Sequence, residues 1–228
     1  MAEGGDIAIL YRTNAQSRAI EELLIRKGIE YKLVGGTRFY DRAEVKDLLA
    51  FLRIVANNDD LVSWDRIEKA GGKRKKQSFN DWLLEQKGKL SDLPPGELLK
   101  EIIEQTKYLS QFDEKDEEDA GRLENIRELL AVASEYESLT AFLESAALVQ
   151  SEDLADRKYG QAKTILMTIH AAKGLEFDEV VITGLEEGLL PHSRSLMDRA
   201  DIEEERRLMY VAMTRAKKKL HLTFTRYR

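Results

Sequence analysis

The β-branched apolar runs of this chain are confined to its two ends. Ile7-Ala8-Ile9-Leu10-Tyr11, Tyr31 to Val34, Thr164 to Ile169 and Glu179 to Thr183 are short apolar segments, and residues 61–160 contain almost none. Such runs, bounded by turn signals, are what buried strands require. A sheet must therefore be assembled from segments separated by about a hundred residues of different character. In the first flank, Ala15 to Lys27 carries Ile20, Leu23 and Leu24 at helical spacing, with Asn14 as the expected N-cap and Gly28 as the residue that ends the helix. Gly35-Gly36 closes the second strand, and Asp41 followed by Glu44 reads as a capping box for a helix through Val55. Strand, helix, strand, helix predicts a parallel sheet. In the last flank, Leu220 to Phe224 alternates apolar with polar. Ile202 to Lys219 reads as one long helix, acidic in its first turn and ending on Lys217, Lys218 and Lys219, which suits a macrodipole.

The middle predicts helix after helix. Phe79 to Lys87, Glu97 to Ser110, Ala120 to Tyr136 and Leu139 to Val149 each place apolar residues three to four apart. Pro94-Pro95 and the acidic run from Asp113 to Asp119 separate them, and that run reads as a solvated loop. The basic run Lys73-Arg74-Lys75-Lys76 reads as a solvated turn. The expected organisation is an α/β domain formed by residues 1–62 and 160–228, with a helical insertion over 63–159.

Composition removes several classes of chemistry. There is no Cys among the 228 residues and only three His, which excludes disulfides, thiolate metal sites and Cys nucleophiles. No run approaches the roughly 18 apolar residues of a membrane-spanning helix, so no membrane partner is expected and a cytoplasmic location is. A net charge of −6 argues at first against nucleic acid, but the acidity is local. Residues 61–160 hold 22 acidic and 15 basic side chains, whereas the two flanks hold 20 and 21. From Leu208 to Arg228 there are six basic residues and no acidic one.

Chemistry-bearing residues cluster in the flanks. A phosphate-cradling P-loop, Gly-x4-Gly-Lys-Ser/Thr, is absent. Gly72-Lys73 is followed by Arg74 and has Ile67 in place of the first glycine, and Gly88-Lys89 is followed by Leu90. What is present lies beside predicted strand ends. Arg12 and Asn14 follow the first strand, where open α/β sheets place their ligands, and could contact phosphate and base respectively. Thr168, His170 and Lys173 offer donors to phosphate beside Gly174, and Glu176 offers an acceptor suited to a ribose hydroxyl. Arg215 sits near a helix end, three turns after Glu204. There an arginine complements the dipole, and it is also the residue type that stabilises phosphoryl transfer across a domain interface.

With these constellations in view, the chain resembles the UvrD/Rep/PcrA group of superfamily 1 DNA helicases. IAILYRTNAQSR (7–18) resembles the opening of that family's second RecA-like domain, and GGTRFYDRAEVKD (35–47) the segment after it. LMTIHAAKGLEF (166–177) resembles motif V, EEERRLMYVAMTRA (203–216) resembles motif VI, and GLEEGLLPHSRS (184–195) also fits. The matching residues cover both flanks in the family's order.

The resemblance implies a RecA-like parallel sheet with helices on both faces, domain 2A, interrupted by a shortened all-α domain 2B. It implies the C-terminal part of an ATP-dependent 3′–5′ DNA helicase. Arg215 would be the arginine that reaches the ATP γ-phosphate. Gly174 and Glu176 would lie at the nucleotide, Glu176 on its ribose. Arg12, Asn14, Thr168, His170, Lys173 and His192 would face single-stranded DNA, with these contacts and Arg215 sharing one edge of the sheet. ATP and Mg²⁺ would be held mainly by an N-terminal RecA-like domain of the same protein, whose P-loop these residues lack, and this portion alone would bind neither and be inactive. The family's Gly-rich duplex-binding loop has no match in the insertion. Two other readings remain open on sequence: a stand-alone non-enzymatic module binding single strands or protein, and the motor part of a RecB/AddA-like helicase–nuclease.

Overall fold

The computed structural model describes residues 6–86, 88–152 and 162–225. The chain forms two compact units, one from the residues up to Arg38 with those from Asp153 onward, the other from Phe39–Glu152.

The first unit is built on a five-stranded parallel sheet. Its strands are β1 (Ile7–Tyr11), β2 (Tyr31–Val34), β3 (Thr164–Thr168), β4 (Phe177–Ile182) and β5 (Ala216–Leu222), in the order β2-β3-β1-β4-β5. The central strand β1 pairs with β3 from Ile7↔Thr164 to Tyr11↔Thr168 and with β4 from Ile7↔Glu179 to Leu10↔Ile182. The two flanks are thus interleaved strand by strand. Alternation along β1 sends its residues to opposite faces. Ile9 and Tyr11 pack with Leu166 and with Leu24 and Ile20 of α1 (Ser17–Arg26), and Ala8 and Leu10 pack with Met167, Val180 and Leu208 of α7 (Arg199–Met213). Helices therefore cover both faces, as expected of a RecA-like sheet. Phe177 joins Val180 and Ile182 on the α7 face, against strict alternation, because a register irregularity between Phe177 and Glu179 shifts the parity.

Two local expectations are corrected in this unit. Asn14 does not cap α1; it opens a 3-10 turn, Asn14–Gln16, in which the Gln16 side-chain oxygen accepts the backbone N–H groups of Arg12 (2.9 Å) and Thr13 (3.0 Å). Gln16 reaches back because its longer side chain can bridge the turn that carries the chain off β1. The long last helix stops at Met213, and Lys217, Lys218 and Lys219 lie on β5 rather than in a final helical turn. Pairing with β4 overrides their helix preference, and it sets Lys218 beside Asp178 (3.0 Å) and Lys219 beside Glu179 (2.8 Å), opposite charges facing across neighbouring strands.

The second unit is all helical: α2 (Ala43–Ala56), α3 (Leu61–Glu85), α4 (Pro95–Thr106), α5 (Glu117–Ala133) and α6 (Leu139–Glu152). Its core gathers Leu48, Phe51 and Leu52 of α2 with Phe79, Leu98, Ile102, Leu129 and Phe142. The expected capping box at Asp41 and Glu44 does not form. Asp41 instead pairs with Lys46, and Glu44 is buried and accepts a hydrogen bond from Asn125 of α5 at 2.6 Å. The acidic run also divides. Asp116 caps α5, and Glu117, Glu118 and Asp119 fill its first turn, where the helix dipole favours them.

The basic run is helical rather than a turn. In α3, Gly72 adopts φ 74° and ψ 171°, and the chain reverses there. The reversal is visible in the rings: Trp64 and Phe79 lie 5.9 Å apart, although fifteen residues of straight helix would separate them by about 22 Å. Lys76 accordingly reaches Glu68 at 2.7 Å, and Lys75 lies over the Tyr108 ring at 5.0 Å. Burial lowers the Lys75 pKa below its usual value. The Tyr108 hydroxyl donates to Asp47 at 2.9 Å, and burial beside that carboxylate pushes its pKa far above the ordinary phenol range.

Candidate functional site

The carboxyl ends of β1, β2, β3 and β4 form one edge of the sheet. Arg12 leaves β1 there, and Thr168 ends β3 opposite Tyr11. The turn after β3 is tight. The Thr168 hydroxyl accepts from the Ala171 N–H at 3.2 Å, the Thr168 carbonyl accepts from Ala172 N–H, and His170 is left exposed. Gly35, at φ 76°, ends β2 so close that an added Cβ would stand 3.1 Å from Ala171 Cβ, and a Cβ on Gly36 would stand 3.4 Å from the Asn14 side-chain oxygen. Asn14, Thr168 and His170 therefore share this edge.

Arg12 joins them by an unexpected route. Its guanidinium forms a bidentate pair with Glu205 of α7, Nε at 3.0 and 3.1 Å from the two carboxylate oxygens and Nη2 at 2.8 Å from one. Glu205 is 5% exposed, and it also accepts the backbone N–H of His192 at 3.1 Å and the Ser195 hydroxyl at 3.4 Å. Burial pushes the Glu205 pKa up, but the hydrogen bonds and charge of Arg12 together with the His192 N–H outweigh it, and the carboxyl sits below its ordinary value. His192, whose Nδ1 accepts the Arg194 N–H at 3.3 Å, is thereby anchored through its backbone at the same edge.

Arg215 and Glu176 are elsewhere. Arg215 lies between the end of α7 and the start of β5, and its carbonyl accepts the N–H of Phe177, the first residue of β4, at 2.9 Å. In a parallel sheet those are the amino ends of the strands. The expectation that Arg215 and the strand-facing residues share one edge is corrected: Arg12, Asn14, Thr168, His170 and His192 lie at the opposite edge, while Lys173, expected to face the strand with them, falls on the crossover that leads to Arg215's edge, because motif-like segments 166–177 and 203–216 each traverse the sheet. Residues 169–176 run from the end of β3 back to the start of β4, with Ile169 and Ala172 buried under the α7 face. His170 stands near one end of that crossover and Glu176 at the other. Gly174, at φ 85°, supplies the left-handed turn just before β4, and Lys173 beside it is exposed.

At this amino edge the Arg215 guanidinium donates to the carbonyls of Val211 (3.0 Å) and Leu175 (2.9 Å) and to the Thr214 hydroxyl (3.0 Å). All three acceptors are neutral, in contrast to the carboxylate that holds Arg12. Exposed Glu176 has Lys217 3.7 Å away. The edge presents Arg215 beside the Leu175 carbonyl and Lys217 beside the Glu176 carboxylate, an arrangement suited to a polyanion bearing a hydroxyl group. Among the described residues no group of three or more His, Asp or Glu side chains could hold a metal ion, and no helix is long and apolar enough to cross a membrane.

The description of the UvrD-like helicase C-terminal domain matches residues 2–89 and 83–227, nearly the whole chain. The chain belongs to that family. It is 43% identical to the ATP-dependent DNA helicase PcrA of Bacillus subtilis, over 98% of this chain and 37% of that protein. It is 38% identical to DNA helicase II of Rickettsia typhi, over 96% and 40%, and 34% identical to the ATP-dependent DNA helicase UvrD1 of Mycobacterium tuberculosis, over 98% and 37%. The chain thus spans about two-fifths of the length of these relatives. The match to PcrA runs over 273 residues, more than the 228 present here, and the family description aligns in two pieces that meet at 83–89, around the end of α3.

Glu205, Gln16 and Ser195 were not singled out from sequence. For Glu205 a signal existed. Of the three consecutive glutamates, only Glu205 falls three and seven residues before Leu208 and Ala212, the buried face of α7. Glu203 and Glu204 instead pair with Arg206 and Arg207 at the surface.

Proposed function

We propose that this chain is the second RecA-like motor domain, with a compact helical insertion, of an ATP-dependent 3′–5′ DNA helicase. The observation that carries the reading is the arrangement of the two edges. One bears Asn14, Thr168, His170 and the anchored His192 loop, a set of small polar donors and a ring suited to one strand's phosphates and bases without base-edge readout. The other bears Arg215, Glu176, Gly174 and Lys173. Arg215, bonded among the described residues to neutral oxygens, keeps its charge for negative charge developing on a γ-phosphate, and Glu176 accepts from the ribose. Arg12, with its Nε and Nη2 edge on Glu205, contributes to the strand path from a braced position.

ATP would be shared with an N-terminal RecA-like domain that supplies the P-loop, which this sequence lacks, and the Mg²⁺ ligands, for which the described residues offer no cluster. Bound Mg²⁺ would neutralise the β- and γ-phosphate oxygens, and this domain would supply the arginine and the ribose contact. The test is unwinding by the complete protein of a partial duplex with either a 3′ or a 5′ single-stranded tail. ATP-dependent separation of the 3′-tailed substrate is expected. Separation of only the 5′-tailed substrate, or of neither, would overturn the proposal.

A further inference from the structure

Glu205 is buried in the first unit, and its position gives it no direct access to either ligand. Its two carboxylate oxygens accept from Arg12 Nε and Nη2, from the His192 backbone N–H and from the Ser195 hydroxyl, and the residue is 5% exposed. The cluster joins three places in the sequence: the end of β1, the loop between β4 and α7, and α7 itself. Two of its members, Arg12 and the His192 segment, flank the edge assigned above to single-stranded DNA. A buried carboxylate costs several kcal/mol to desolvate unless its hydrogen bonds are filled, so a fold that retains one has its surroundings fixed around it.

We infer that Glu205 is a positioning residue for single-strand binding, holding the Arg12 guanidinium and the His192 loop in the geometry the strand meets. This inference rests on the functional reading above. It differs from a purely structural role, which would be felt in folding alone. It differs also from a counter-charge role, in which Glu205 would merely cancel Arg12 and weaken its pull on phosphate. In the positioning role the bidentate geometry matters: a planar guanidinium locked by two parallel hydrogen bonds keeps its remaining edge in a fixed direction, and the amide N–H of His192 fixes where that ring stands. Loss of either partner should then have the same consequence as loss of Glu205.

The experiment measures binding of a fluorescent oligothymidylate to the complete protein by anisotropy, at several salt concentrations, with thermal midpoints recorded alongside. The variants are Glu205→Gln, Arg12→Ala and the pair together. Glu205→Gln keeps size and shape and removes the charge. Expected are a five-fold or greater loss of affinity in each single variant and a loss in the double smaller than the two combined, because the two substitutions share the Arg12 arrangement while only Glu205→Gln also releases the His192 loop. The salt slope should stay within about one unit of the parent's. Tighter binding by Glu205→Gln with a steeper salt dependence would overturn the positioning role in favour of charge cancellation. Unchanged affinity with a lowered thermal midpoint would overturn it in favour of structure alone. A parent protein that does not bind the oligonucleotide would defeat the functional reading itself, and this inference with it.

Discussion

Gly72→Ala should destabilise the helical unit, and the sign of the effect is diagnostic. Gly72 adopts φ 74° and ψ 171°, a region in which essentially only glycine is found, and a Cβ built there meets nothing within 4 Å. The cost is therefore conformational and not a clash, about 1–3 kcal/mol for holding alanine in that region. At roughly 4 °C per kcal/mol the thermal midpoint would fall by about 4–12 °C. Had α3 run straight through residue 72, the same substitution would stabilise by about 1 kcal/mol, since alanine is the better helix former. Gly121 provides that control, because it lies inside α5 and a Cβ added there would likewise meet nothing within 4 Å: Gly121→Ala should gain about 0.5–1 kcal/mol. Urea unfolding followed by circular dichroism at 222 nm measures both. A Gly72→Ala variant as stable as the parent, or more so, would refute the reversal, and with it the packing of Trp64 on Phe79.

Other outcomes follow from the two edges. Arg215→Ala in the complete protein should lower kcat for ATP hydrolysis by about 10³-fold, the scale of other arginines that stabilise phosphoryl transfer; retention of most of the parent's kcat would remove Arg215 from that role. The purified 228 residues alone should release no phosphate from ATP, with or without single-stranded DNA, because they lack a P-loop. Phosphate release above background in a colorimetric assay would contradict this. Glu205 has its pKa lowered in the folded state, so its contribution to stability is present above the ordinary carboxylate range and fades as pH falls through the lower folded value. The stability difference between the parent and Glu205→Gln should accordingly be largest above the ordinary carboxylate range and shrink as pH falls below it. A difference that stays constant across that range would mean the ion pair is not its source.

The sheet could be read from the sequence because its strands declare themselves locally. Ile7–Tyr11 and Tyr31–Val34 are apolar and bounded by turn residues, and the structure places them there. What could not be read locally depended on partners far along the chain. Lys217 to Lys219 suit a helix terminus when only their neighbours are considered. Their actual conformation is set by β4, with Asp178 and Glu179 some forty residues upstream. Asn14 is a good capping residue by type, but the chain enters a 3-10 turn at Asn14–Gln16 and α1 begins only at Ser17, while the Gln16 side chain ties that turn back to Arg12 and Thr13. In the insertion, Gly71-Gly72 and the four basic residues after them suggest a break in structure. The break is a single residue, and aromatic packing between Trp64 and Phe79 holds helix on either side of it. For the candidate site, the residue types were legible and their distribution over two edges was not, since that follows from which way each strand points.

The pin that Glu205 makes on α7 has a mechanical consequence. From Glu205 to Met213, the last residue of α7, is eight residues, a rigid arm of about 12 Å, with Arg215 just beyond its tip. A tilt of about 10° about the pin swings that tip by about 2 Å, more than the whole span over which a hydrogen bond passes from strong to absent. Leu208 and Ala212, buried between that pin and the tip, hold the arm against such a swing, so one helix keeps Arg12 and Arg215 at a set separation.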